Sequence, residues 1–276
     1  MAQRDVLIAD DDGQVSEVLR QFFVAAGYNC LLARDVPEGL AVFMARRPPL
    51  IVTRRGMGGI ELLQLIRQED QDAAVIIFSF HWPGDLHIRC LKLGADCLWS
   101  PLNLDQLLIT AERALERRQL LIERRHRQQA DGQPQAHLAQ RDVLIVATEE
   151  DPPTQIRDVV RQMFESAGYT CRLTGYWGRG LKAFRESRPS LVFIDLRTQV
   201  VGLAGIKLLQ EIREEDPDAA VIVTSADPKI GIESLKLGAY AFLQKPSDMD
   251  ELLIAAERAL EHRQLVIERR QHQADA

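Results

Sequence analysis

An internal duplication constrains this chain more than any other feature of its sequence. Gln-Arg-Asp-Val-Leu-Ile at 3–8 recurs at 140–145, Ala-Gly-Tyr-Asn-Cys at 26–30 recurs as Ala-Gly-Tyr-Thr-Cys at 167–171, and Asp-Ala-Ala-Val-Ile at 72–76 recurs at 218–222. A period of about 140 residues is far longer than a solenoid unit and has the size of a duplicated globular domain. Between the copies, the stretch 128–137 is polar and contains Gly132 and Pro134, which break helices. The chain therefore reads as a first domain over 1–127, a polar flexible linker over 128–139 and a second domain over 140–276.

Within each copy, short apolar runs alternate with amphipathic stretches. In the first, the spacing predicts strands near 5–9, 29–33, 50–53, 74–79 and 97–99, with helices near 14–26, 36–46, 59–68, 85–93 and 104–127. Five such βα units imply a mostly parallel sheet covered by helices on both faces, with right-handed crossovers. Ligands of open α/β sheets bind at the C-terminal ends of the strands. That edge is where the chemistry is sought.

In the second copy, Leu-Val-Phe-Ile-Asp-Leu-Arg at 191–197 is an apolar run ending in the carboxylate of Asp195. Ser225 ends the next strand in Val-Ile-Val-Thr-Ser-Ala, and Lys245 ends the last in Ala-Phe-Leu-Gln-Lys-Pro. Three polar groups therefore converge on one sheet edge. Together with Ala226, Gly238-Ala239, Phe242 and Pro246, this set resembles the response-regulator receiver domain, and the resemblance covers nearly the whole chain twice over. It implies two flavodoxin-like (βα)5 doubly wound domains.

The resemblance also implies a chemistry. Asp195 would accept a phosphoryl group from a sensor histidine kinase, a phosphotransfer protein or a small donor, as an acyl phosphate. Lys245 would pair with a phosphoryl oxygen, Ser225 would hydrogen-bond another, and Phe242 would be the aromatic whose rotamer follows Ser225. Mg²⁺ would be held by Asp195, by the Arg197 backbone carbonyl and by acidic residues after the first strand. Here the second copy departs from the family. Direct continuation of its first strand places Ala147 and Thr148 where receivers carry two acids, and only an insertion of about four residues lets Glu149, Glu150 or Asp151 supply a carboxylate instead. The competing reading is an acidic helix N-terminus, with Asp151 as cap before Pro152 and Pro153. The stretch after Asp195, Leu-Arg-Thr-Gln-Val-Val-Gly-Leu-Ala-Gly, reads as a longer loop than usual and lacks the common Met-Pro.

The first copy departs in the opposite direction. Asp10 and Asp11 match the acidic pair and Ser79 the hydroxyl, yet Arg54 stands where Asp195 stands in the second copy, and Ser100 replaces the lysine. No aspartyl phosphate of the usual kind can form there. Either Arg54 donates to Asp10 or Asp11 and locks one conformation, a guanidinium replacing metal and phosphoryl together, or the shortened loop turns it to solvent.

Both last helices outrun the strands they cover. Leu108, Leu115 and Ile122, Leu107, Ala114 and Leu121, and Leu253, Leu260 and Ile267 repeat at seven-residue spacing. This stripe predicts pairing of the extended helices, between the copies or in a homodimer. Glu123 to Arg127 reads as a solvated charged face.

The remaining composition excludes several classes. With 34 Lys and Arg against 40 Asp and Glu, the net charge of −6 carries no basic footprint for nucleic acid. No apolar run approaches the ~20 residues of a membrane helix, no secretory leader is visible, and the expected location is cytoplasmic. Cys30, Cys90, Cys97 and Cys171 show no metal-ligand spacing and read as small buried hydrophobes. No catalytic triad or Gly-rich phosphate loop stands out, so no enzyme is expected beyond self-catalysed phosphoryl acceptance and hydrolysis. The expected function is a response regulator with no separate output domain, acting through a downstream protein partner; the alternative is a phosphorylation-independent scaffold of two degenerate receivers.

Overall fold

The computed structural model describes residues 4–83, 85–131, 141–147, 155–175, 177–196 and 199–275. The chain divides into two compact units, Met1–Arg127 and Gln128–Ala276. In the first, β1 (Asp5–Ala9), β2 (Asn29–Ala33), β3 (Leu50–Arg54), β4 (Ala74–Ser79) and β5 (Asp96–Trp99) alternate with α1 (Gly13–Ala25), α2 (Val36–Arg46), α3 (Gly59–Glu69), α4 (Leu86–Lys92) and α5 (Leu104–Asp131). The second repeats the pattern with β6 (Asp142–Ala147), α6 (Gln155–Ser166), β7 (Thr170–Thr174), α7 (Trp177–Ser187), β8 (Leu191–Leu196), α8 (Gln199–Glu215), β9 (Ala220–Ser225), α9 (Pro228–Lys236), β10 (Ala241–Gln244) and α10 (Met249–Asp275). Both sheets are parallel, ordered β2-β1-β3-β4-β5 and β10-β9-β8-β6-β7. These are two flavodoxin-like doubly wound domains.

The central strands are apolar throughout because both sheet faces are covered. In β1, Val6 and Ile8 pack with Leu19 and Phe23, whereas Leu7 and Ala9 pack with Phe43 and Leu62 on the opposite face. Aspartates start several helices. Asp12 accepts from the Gln14 and Val15 amides at 2.9 and 3.3 Å, and Asp227 accepts from the Lys229 amide at 2.9 Å.

Two boundaries differ from the sequence reading. The supposed long loop after Asp195 is largely helix, since α8 begins at Gln199. Without the Met-Pro of the family, no proline stops the helix from starting early. The linker expected from 128 is helical as far as Asp131, because Gln128, Gln129 and Ala130 are good helix formers and the first breaker is Gly132.

The last helices are tied back to their own domains by a repeated device. Arg118 pairs with Asp70 at 2.8 Å and Arg125 with Asp72 at 2.8 Å, while Arg263 pairs with Asp216 at 2.8 Å and Arg270 with Asp218. In each domain the arginines are seven residues apart, two helical turns on one stripe. The aspartates belong to a turn in which the second amide donates to the first carboxylate, at 2.9 Å for Asp72 and 3.0 Å for Asp218. Replacing Asp70 and Asp72 together by alanine is expected to cost about 0.5–1 kcal/mol per pair. Hydrogen exchange should accelerate in α5 from Arg118 onward, with the difference shrinking at high salt.

Candidate functional site

The C-terminal strand ends gather the site in each domain. Strand register equates the two. Val6 pairs with Leu50 as Val143 pairs with Leu191, so Asp10 corresponds to Ala147 and Arg54 to Asp195. Arg54 faces Phe78 as Asp195 faces Thr224.

In the second domain, Asp195 is only 5% exposed. Its Oδ1 accepts from Thr224 Oγ1 at 2.7 Å and forms an ion pair with Lys245 Nζ. The ammonium also lies 3.5 Å from the Leu196 carbonyl oxygen. Ser225 is buried beside them, its Oγ accepting from the Asp227 amide at 3.2 Å, and the Lys245 amide donates to the Ser225 carbonyl at 2.9 Å. Asp195, Ser225 and Lys245 are therefore brought together. Phe242 lies one strand position deeper, with its ring so close over Gly231 of α9 that a Cβ there would overlap it.

In the first domain, the turn after β3 is made by glycines: Gly58 has φ 93°, and a Cβ on Gly59 would collide with the Arg54 carbonyl. This tight turn keeps Arg54 inside the pocket. Its Nε lies 2.9 Å from Asp10 Oδ1, an ion pair by distance without hydrogen-bond alignment, and its Nη2 donates to Asp11 Oδ1. The Asp10 side chain is fully buried, that of Arg54 21% exposed and that of Asp11 55% exposed. Burial pushes the Asp10 carboxyl up, against the Asp12 amide and Arg54, which favour its charge. The hydrogen bond from Arg54 holds the Asp11 carboxyl below its ordinary value. Of the two sequence readings of Arg54, the geometry has the inward one. Ser79 is committed locally, accepting from Arg55 Nε at 3.0 Å and donating to the His81 carbonyl at 2.6 Å. Ser100 follows β5 at the lysine's place.

Thr224 and Arg55 were not singled out by the sequence reasoning. A threonine inside a strand looks like any β-branched core residue, and only the pairing of β8 with β9 reveals that its hydroxyl meets Asp195.

A divalent cation requires several oxygen ligands. In the second domain the strand that would supply the first acid ends in Ala147, and Asp195 Oδ1 is engaged by Lys245. In the first, Arg54 lies against both acids. Among the described residues no cluster of acidic, histidine or cysteine side chains suits a metal, so they do not complete a Mg²⁺ site. Glu149, Glu150, Asp151 and Arg197, the other ligands expected from the sequence, lie outside the described residues. Among the described residues no helix is long and apolar enough to cross a membrane.

A family model described as the response regulator receiver domain matches residues 6–112 and 143–257. The nitrogen assimilation regulatory protein NtrX of Azorhizobium caulinodans is 35% identical over 122 residues, 44% of this chain and 26% of that protein. The C4-dicarboxylate transport transcriptional regulatory protein DctD of Pseudomonas aeruginosa is 34% identical over 134 residues, 48% of this chain and 28% of that protein. The chain thus spans little more than a quarter of the length of these curated relatives. Among solved structures, the receiver domain of NtrX from Brucella abortus is 34% identical, covering 44% of this chain and 98% of its own, with a TM-score of 0.39.

Proposed function

Both halves of the chain belong to the response regulator receiver family, and from that premise we propose a two-component response regulator whose second receiver accepts a phosphoryl group on Asp195 while its first does not. The observation that carries this reading is the buried Asp195 carboxylate held by Thr224 and paired with Lys245 at the strand ends. A carboxylate oxygen of Asp195 attacks the phosphorus of a phosphohistidine or a small phosphodonor. The new O–P bond forms as the bond to the donor breaks, and the donor leaves with the electron pair. The Lys245 ammonium neutralises charge on the phosphoryl oxygens, and the Ser225 hydroxyl donates to one of them. Phe242 reads the change through its contact with α9.

The first receiver acts as a pseudo-receiver. Its position for the nucleophile holds a cation, and its serine is already bonded to Arg55 and His81. Upstream, the partner is a sensor histidine kinase or phosphotransfer protein in the cytoplasm; downstream, it is a protein reached through receiver surfaces and the extended last helices, which also suit a homodimer. The alternative of a phosphorylation-independent scaffold is favoured by one observation, Ala147 at the place of the first metal-binding acid.

The test is direct. Incubated with a small acyl phosphodonor, the full chain should gain a single phosphoryl group by intact mass, stable in acid, lost in base and absent from Asp195→Asn. A parallel arm with EDTA asks whether Glu149, Glu150 or Asp151 brings Mg²⁺ to the second receiver. A chain that gains no phosphoryl group, from small donors or from a histidine kinase, leaves only the scaffold.

A further inference from the structure

Cys90 on α4 and Cys97 on β5 place two free thiols in one core cluster of the first receiver. The Cys97 sulfur lies 3.7 Å from the His87 carbonyl oxygen, and His87 and Cys90, three residues apart, share one face of the helix. The Cys97 thiol donates to that carbonyl, one helical turn before Cys90. Both belong to one core cluster, with Cys90 fully buried and Cys97 half-buried at its margin.

The place of this pair in the duplicated fold is informative. Cys97 pairs with Ile77 as Phe242 pairs with Val223, so Cys97 stands where the second receiver has its aromatic. Counted back from Gly94 and Gly238, which follow the two helices with φ 86° and 92°, His87 stands at the place of Gly231 and Cys90 at that of Ser234. In the second receiver the Phe242 ring packs on Gly231, and Ser234 Oγ donates to the Gly231 carbonyl at 2.7 Å. In the first, both ring and glycine are gone. A helix thiol and a strand thiol stand there instead: Cys97 Sγ lies by the His87 carbonyl, the equivalent of the Gly231 carbonyl that Ser234 Oγ meets at Cys90's place.

We infer that Cys90 and Cys97 form a reversible intramolecular disulfide, tying α4 to β5 so that this surface of the first receiver answers to small-molecule disulfides instead of phosphorylation. Such a role goes beyond the phosphoryl chemistry of the second receiver and does not depend on it. The Cys97 thiolate, on the more exposed sulfur, attacks one sulfur of the small disulfide, whose S–S bond breaks to release a first thiolate. The Cys90 thiolate then attacks the Cys97 sulfur, forming the Cys90–Cys97 bond and expelling the second thiolate. The dithiol gives up two electrons, the small disulfide takes both, and the two protein protons pass to the released thiolates.

The other two cysteines serve as internal controls. Cys30 and Cys171 contact the carbonyls of Arg20 and Arg161 at 3.6 and 3.7 Å, and burial pushes the Cys30 thiol up and the Cys171 thiol up to about 11. Cys90 goes the other way, its thiol held below the ordinary value by the neighbouring Cys97 with help from Arg89 and Arg55, against its burial.

The experiment treats the full chain with oxidised glutathione, alkylates it after unfolding and measures intact mass, peptide linkage and amide hydrogen exchange. The expected product is lighter by two hydrogens before alkylation, keeps two of its four thiols alkylable, links Cys90 to Cys97, and exchanges several-fold more slowly in α4. The Cys30→Ser/Cys171→Ser chain should behave identically. Cys90→Ser, which installs the residue the second receiver carries there, should stop at a mixed disulfide on Cys97. Four alkylable thiols after treatment, a persistent mixed disulfide on the unsubstituted chain, or a bond between chains would overturn the inference. Unchanged exchange in α4 of the oxidised chain would equally remove the switch.

Discussion

Lys245→Ala is expected to slow phosphoryl acceptance by Asp195 about 100-fold at saturating donor, equivalent to about 3 kcal/mol of transition-state stabilisation. The ammonium pairs with Asp195 in the resting pocket and would meet the incoming phosphoryl oxygens at the same place. It is therefore positioned before the charge develops, which is the condition under which a fixed donor contributes most. Thr224 still orients the carboxylate in this variant, so the nucleophile stays and the deficit belongs to charge neutralisation. Lys245→Arg restores the charge but not the compact geometry and should recover only part of the rate. The measurement is the time course of the acid-stable adduct by intact mass. A labelling rate unchanged in Lys245→Ala would remove the lysine from the mechanism.

Arg54→Ala is expected to destabilise the first receiver by about 2–3 kcal/mol, somewhat less than the cost of about 3–5 kcal/mol for breaking a fully buried ion pair, because the Arg54 side chain is 21% exposed. Its loss leaves the buried Asp10 charge without its cation. The pH dependence separates this cause from simple loss of packing. Asp11, whose folded value is lowered, contributes stability that is present above the ordinary carboxylate value near 4 and lost as pH falls through the folded value. Asp10, whose folded value is raised, contributes stability present below the ordinary value and lost as pH rises through the folded one. Removing Arg54 erases the first contribution and enlarges the rise of Asp10. The deficit should thus be greatest at neutral pH and shrink as the pH approaches 4, and Asp10→Asn in the same chain should recover part of it. Urea unfolding followed through Trp82, which is buried in the first receiver, reports the change.

The fold was largely legible because its signals are local and occur twice. Short continuous apolar runs rich in β-branched residues, such as Leu50–Val52 and Leu191–Ile194, read as strands covered on both faces, and the structure has them there. The positions of Asp195, Ser225 and Lys245 at one edge followed from the same reasoning. The start of α8 was missed because Gly202 and Gly205 lower the helix propensity of its first turns, although Thr198, a residue type favoured at helix N-caps, stands just before Gln199. The partners of the site were harder to read. Thr224 meets Asp195 across 29 residues of chain, and the choice between an inward and an outward Arg54 depended on a turn closed by Gly58 and Gly59. Cys90 and Cys97, seven residues apart, look like packing residues until strand register places one of them where the second receiver has Phe242.

The covalent tether of Arg54 has a consequence in mass action. A phosphoryl group or a metal ion occupies a receiver in proportion to its supply and leaves when that supply falls. A guanidinium carried on the strand that ends in the pocket is present at a fixed effective concentration, set by the backbone and unaffected by kinase activity, donor level or chelators. The first receiver's pocket is therefore buffered against the variable its fold ordinarily senses.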